Sequence, residues 1–220
     1  MPTDRTLGEQ LQQLLREKTA NRPAEISDAF TRGIEAVRAS GLSEGALGVG
    51  APAPRFTLPD ASGRPVCLDD LLDTGAAVLC FYRGGWCPYC NLELRAYEAL
   101  LPELADAGAT FAAISPQTPD ASLTTAEKLA LSYAVLSDVG NEVARAFGLV
   151  HAVTGEVAEI FERNGYDMAG RNAQPADAIE LPLPATYVVD REGTVRFAFA
   201  SADYTERAEP SDVLTVLRGL

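Results

Sequence analysis

Residues 76–90 read Ala76-Ala77-Val78-Leu79-Cys80-Phe81-Tyr82-Arg83-Gly84-Gly85-Trp86-Cys87-Pro88-Tyr89-Cys90. The apolar run from Ala76 to Tyr82 predicts a buried strand. Behind the dithiol comes Asn91-Leu92-Glu93-Leu94-Arg95-Ala96-Tyr97-Glu98-Ala99-Leu100-Leu101, with apolar residues at helical spacing. Two thiols three residues apart at a strand-to-helix junction are the working geometry of thiol–disulfide chemistry. Cys87 falls at the helix N-terminus, where unpaired N–H groups and the helix dipole favour a thiolate. Pro88 suits the first helical position, since its missing N–H costs nothing there. Cys90 lies one turn further in, on the same face and more buried. Spacing therefore makes Cys87 the nucleophile. Cys90 is the thiol that attacks a mixed disulfide or sulfenic acid formed on Cys87, closing a Cys87–Cys90 disulfide. Arg83 either adds positive charge near the thiolate or is a solvated loop residue.

A chain of 220 residues suits one domain with an extension and can bury a full core. Its formal charge of −13 is spread along the sequence, which argues against a nucleic-acid or anionic-membrane partner. Residues 1–22 are polar and lack the apolar core of a signal peptide. No stretch approaches the ~18 apolar residues of a membrane span. The expected compartment is the cytoplasm, and four cysteines are too few for a disulfide scaffold.

Leu7, Leu11, Leu14 and Leu15 predict one helix over 5–20, and Ile26, Phe30, Ile34 and Val37 a second between Pro23 and Gly41. We expect residues 1–44 to form a helical N-terminal extension and 45–220 the main domain, joined through the Gly/Ala/Pro-rich stretch 45–54. A hairpin over 55–68 turns at Gly63. From Ala76 the elements alternate, which argues for an α/β layered fold: a strand at 76–82, a helix at 88–107, a strand at 110–115, a helix near 120–131, a short strand around 134–136 and a helix at 140–147. Residues 150–181 read as an insertion carrying one helix. A hairpin, Ala185–Asp190 with Thr194–Phe199, and a helix at 210–218 close the chain.

That order is similar to a thioredoxin fold, a central mixed sheet flanked by helices. More narrowly, the chain resembles the peroxiredoxin-like branch of the alkyl hydroperoxide reductase / thiol-specific antioxidant (AhpC/TSA) family. Gly50-Ala51-Pro52-Ala53-Pro54-Arg55-Phe56-Thr57-Leu58 resembles the family's leading segment, and Gly63 to Leu71 its first hairpin. Phe81 to Cys90 resembles the branch's active-site block, and Leu181-Pro182-Leu183-Pro184-Ala185-Thr186-Tyr187-Val188-Val189-Asp190 the segment facing it. Asp203-Tyr204-Thr205-Glu206-Arg207-Ala208-Glu209-Pro210 also recurs in that branch and is read as bordering the site or as a plain helix lead-in.

The resemblance implies a thiol-dependent oxidoreductase, with a hydroperoxide or a disulfide as substrate and a thioredoxin-like or glutaredoxin-like reductant. It implies no cofactor and no metal, and it allows a homodimer. Trp86, Pro88, Tyr89, Pro184 and Thr186 are expected to frame the dithiol, with Pro184 in cis as in thioredoxins. Two departures stand out. Peroxiredoxins place a Pro seven residues, and a Thr or Ser three residues, before the peroxide-attacking Cys; counted from Cys87 those positions hold Cys80 and Gly84. Peroxiredoxins also carry an Arg where Pro184 stands. The family favours peroxide reduction, whereas the missing hydroxyl and guanidinium favour general protein disulfide reduction through the same CxxC. A non-catalytic thioredoxin-fold binding module is the third reading. Zinc would need a second CxxC, which Cys67 and Cys80 do not form. Cys80 reads as a buried small hydrophobe, Cys67 as a hairpin residue and His151, the single histidine, as a surface residue.

Overall fold

The computed structural model describes residues 5–153 and 155–220. Two helices lead, α1 (Leu7–Ala20) and α2 (Ala24–Ala39), followed by a single turn, α3 (Leu42–Gly45). A hairpin of β1 (Thr57–Pro59) and β2 (Pro65–Cys67) runs into α4 (Leu68–Leu72). The layered part comprises β3 (Ala76–Phe81), α5 (Pro88–Ala99), α6 (Leu101–Asp106), β4 (Ala109–Ser115), α7 (Pro119–Leu129), β5 (Ala134–Ser137) and α8 (Glu142–Ala146). Then come β6 (Val150–Ala152), α9 (Gly155–Arg163), α10 (Met168–Asn172) and β7 (Glu180–Pro182). A closing hairpin of β8 (Ala185–Val189) and β9 (Val195–Ala200) precedes α11 (Pro210–Leu217).

Five strands form one mixed sheet in the order β5-β4-β3-β8-β9, with β3 parallel to β4 and antiparallel to β8. Strand alternation sends Ala77, Leu79 and Phe81 into one core, with Leu68, Leu71, Phe147 and Tyr187. Val78, Cys80 and Tyr82 enter the other, with Leu94, Tyr97, Val213 and Leu217. Burial on both faces explains why the β3 sequence is continuously apolar. The stretch before β1 runs along the outer edge of β9: Gly50 N–H donates to Val195 O at 2.8 Å, Val195 N–H to Ala51 O at 2.9 Å and Ala53 N–H to Gly193 O at 2.8 Å. No helix among the described residues is long and apolar enough to cross a membrane.

Three sequence expectations are corrected. The helix expected over 88–107 is two helices, broken at Leu100 (φ −103°, ψ 4°). Pro102 lacks the N–H that would return to the Glu98 carbonyl, and its ring crowds that carbonyl. The insertion carries two helices instead of one, and its ends pair as β6 and β7. Pro184 is trans, as is every described peptide bond. It stands one residue ahead of β8, so its missing N–H falls outside the ladder, while its carbonyl still accepts from Ser201 N–H at 3.2 Å.

The N-terminal helices close around the dithiol end of the sheet. A capping box, Thr6 with Glu9, starts α1, whose Leu7 and Leu11 bury in the core beneath α5. α2 lies against α9, where Arg32 pairs with Glu156 and the Gly33 backbone approaches Val157. Cys67 serves as a cap as well as a hairpin residue: its sulfur accepts the Asp70 N–H at 3.3 Å at the start of α4.

Candidate active site

Past β3 the chain must turn sharply to start α5, and Gly84 makes the turn at φ +145°. A Cβ there would lie 2.4 Å from Trp86 Nε1. Cys87 is the N-cap of α5 (φ −86°, ψ 114°), its N–H returning to Gly84 O at 3.0 Å, and Pro88 occupies the first turn. Two side chains pin the turn: Gln117 Oε1 accepts Gly85 N–H at 2.7 Å, and Asn91 Nδ2 donates to Gly85 O at 3.0 Å. The hydroxyl sought three residues before Cys87 has no place on this backbone. We expect G84T to lower stability by about 1–3 kcal/mol in urea denaturation, the scale of a forced unfavourable backbone conformation.

Cys87 is 1% exposed and Cys90 fully buried. Burial pushes the Cys87 thiol up, but the Cys90 S–H, the charges of Arg83 and Arg207 and the Cys90 N–H together hold it at about 5. Cys90 moves the opposite way: burial and the neighbouring Cys87 sulfur keep it protonated. One thiolate and one thiol result, side by side.

Arg83 is 5% exposed, which decides against a solvated loop residue. Its guanidinium carbon sits 4.6 Å from the Tyr204 ring centre and 5.0 Å from that of Trp86. Its Nε has no hydrogen-bond partner and it forms no ion pair among the described residues.

In front of Cys87 opens a cavity of about 340 Å³, floored by Cys87, Pro88 and Tyr89. Lys18, Arg22 and Phe30 of the extension form one wall, and Ile160, Phe161 and Tyr166 of the insertion another. Trp86 meets Phe161 and Tyr166 edge to face, at 5.4 and 5.9 Å between ring centres, and Tyr89 meets Tyr204 at 5.7 Å. Pro184 lies elsewhere, on a second, mostly apolar chamber of about 480 Å³ with Leu183, Val157 and His151; Arg83, Phe30 and Tyr204 border both spaces. His151 is half-buried on β6, which corrects its reading as a surface residue; burial and the charge of Arg83 push its imidazole down to about 4, so it is neutral.

Behind the dithiol stands a group that sequence reasoning missed. Arg207, in the lead-in to α11, donates through Nη2 to Cys90 Sγ at 3.0 Å and through Nε to Glu93. Glu93 also accepts from Thr186 Oγ1 at 3.3 Å, so Thr186 turns toward Glu93 and is absent from the lining of both cavities. Glu93 is one turn after Cys90 on α5, and Arg207 belongs to the Asp203–Pro210 segment already singled out; those were the available signals.

The sheet order, with a dithiol capping the helix after the central strand, defines a thioredoxin-like protein. A match to the AhpC/TSA family spans residues 49–198, and the chain belongs to that family. It is 29% identical over 151 residues to a chloroplastic peroxiredoxin Q of Gentiana triflora (68% of this chain, 58% of the relative). It is 32% identical over 129 residues to peroxiredoxin Q of Arabidopsis thaliana (57% of this chain, 59% of the relative). The alignment thus spans less than two thirds of either relative. Among solved structures, the peroxidoxin BcpB of Mycobacterium tuberculosis superposes with a TM-score of 0.61 at 25% identity, covering 78% of this chain and 97% of that one.

Proposed function

We propose that the protein is a thiol peroxidase. The Cys87 thiolate attacks the distal oxygen of a hydroperoxide, the O–O bond breaks, and an alcohol or water leaves as Cys87 becomes a sulfenic acid. Cys90 then attacks that sulfur, expelling water and forming the Cys87–Cys90 disulfide. A dithiol protein of the thioredoxin class restores both thiols. The cytoplasm, where such donors keep thiols reduced, is the proposed compartment. The observation that carries this reading is the site's shape. A thiol held near a pKa of 5 lies at the foot of a cavity of about 340 Å³ walled by the extension and the insertion, a space that admits a small hydroperoxide. The relatives' names, peroxiredoxin Q, point the same way. Arg83 supplies the thiolate with a fixed positive charge, which the sequence does not place at Pro184.

The test is stopped-flow thiol loss on adding hydrogen peroxide or an organic hydroperoxide, run beside reduction of insulin disulfides. Peroxide oxidation far faster than that of free cysteine, with weak insulin reduction, is the expected outcome. The reverse pattern would establish the disulfide reductase. A further expectation concerns acidity. The thiolate is the reacting form, so the oxidation rate is half-maximal near pH 5 and flat above about pH 6. R83M removes a charge that lowers the thiol and moves that midpoint upward, slowing the reaction at about pH 5 severalfold while leaving the alkaline plateau within about twofold.

A further inference from the structure

The most enclosed ion pair among the described residues lies behind the dithiol, away from the cavity. The side chains of Arg207 and Glu93 are both 0% exposed. All three guanidinium nitrogens are engaged: Nε with Glu93, Nη1 with the carbonyls of Tyr204 at 2.9 Å and Glu206 at 2.6 Å, and Nη2 with Cys90 Sγ at 3.0 Å. The fork is held on one side by backbone and on the other by a carboxylate that Thr186 steadies in turn. It cannot swing away from the sulfur. A buried ion pair adds little net stability over an apolar filling of the same volume. The one contact of this pair that is not scaffolding is a sulfur that changes charge during the reaction.

We propose, resting on the peroxidase reading above, that Arg207 is a catalytic residue of the reductive half-reaction and Glu93 its positioning partner. Cys87 lines the cavity and Cys90 does not, so Cys87 is the sulfur of the disulfide that a reductant reaches. A thiolate of the dithiol reductant forms a bond to Cys87 Sγ, the Cys87–Cys90 bond breaks, and its electron pair leaves on Cys90 Sγ. That charge appears 3.0 Å from Nη2 of a cation already in place. The second thiol of the reductant then displaces Cys87, taking the oxidation away as its own disulfide, and Cys90 takes up a proton. A leaving thiolate stabilised in this way departs faster and directs attack to the other sulfur. Glu93 fixes the guanidinium plane and keeps its charge balanced while the disulfide is closed.

The test separates the half-reactions. Wild type, E93Q and E93Q/R207M are oxidised to the disulfide with diamide and then reduced by dithiothreitol at mildly alkaline pH; the double variant leaves no unpaired charge in the core. Reduction of the double variant slows about tenfold or more, while peroxide oxidation of its reduced form, read at mildly alkaline pH where Cys87 stays ionised without the Arg207 charge, slows by a smaller factor. In a C87S background the ultraviolet thiolate absorbance of Cys90 rises at lower pH with E93Q and at higher pH with E93Q/R207M, a divergence that a packing role would not produce. Reduction within about threefold of wild type, equal losses in both half-reactions, or no divergence of the two titrations would overturn the proposal. Because diamide supplies the oxidation, a protein that ignores peroxide defeats the peroxidase reading alone.

Discussion

Replacement of Cys87 by serine stops hydroperoxide consumption, with a loss on the order of a thousandfold or more, the scale on which catalysis falls when a nucleophile is removed. A thiol held at about 5 is almost wholly thiolate at neutral pH, whereas an ordinary cysteine is only a few per cent ionised. A serine hydroxyl in the same place is neither ionised nor soft. Replacement of Cys90 by serine has a different signature. One equivalent of peroxide is still consumed, and a sulfenic acid remains on Cys87, trapped by dimedone and located by mass spectrometry. The pair of variants also tests the order of the two sulfurs. Arg207 touches Cys90 and not Cys87, so dimedone captured on Cys90 in the C87S protein, with peroxide still consumed, would exchange the roles assigned here.

The largest change in stability is expected from breaking the buried ion pair on one side only. R207M leaves Glu93 enclosed without its cation and costs about 3–5 kcal/mol at neutral pH, read from urea denaturation. Burial already pushes the Glu93 carboxyl up, opposed first by the charge and hydrogen bond of Arg207 and then by hydrogen bonds from Cys80 and Thr186. With Arg207 gone, Glu93 stays protonated in the folded protein and ionises on unfolding. A group whose folded pKa is raised contributes stability that is fully present below its unfolded value and is lost as pH rises. The deficit of R207M therefore narrows toward the ordinary glutamate value, about 4.3, and widens above it. E93Q/R207M recovers most of the loss, because two neutral side chains leave no charge to solvate. Equal losses in the single and double variants would show that the cost is steric.

Much of the architecture was legible because it is local. Strand alternation, the proline behind Cys87 and apolar residues at helical spacing each act within a few positions, and they placed β3, the start of α5 and the terminal hairpin within a residue or two. The likeness of Phe81–Cys90 to a known active-site block added the family. What was not legible depends on distance along the chain. Arg207 meets Cys90 across 117 positions and Glu93 across 114, and no spacing rule connects them. Thr186 had the family's address but a different neighbour. The cavity walls are equally remote: Phe30 comes from the extension, Phe161 from an insertion whose weak periodicity concealed a second helix. Pro184 misled because a proline opening a strand suggested cis, whereas a position just outside the ladder tolerates trans.

The backbone that runs beside β9 before the first hairpin has a consequence for association. An open strand at the end of a sheet invites a neighbour's strand, and native proteins blunt such borders. Here Gly50, Ala51 and Ala53 already occupy the outward-facing groups of Val195 and Gly193. A second molecule therefore finds no ladder to extend at that start of β9, and crowding of this chain in the cell is steered away from fibre-like growth there.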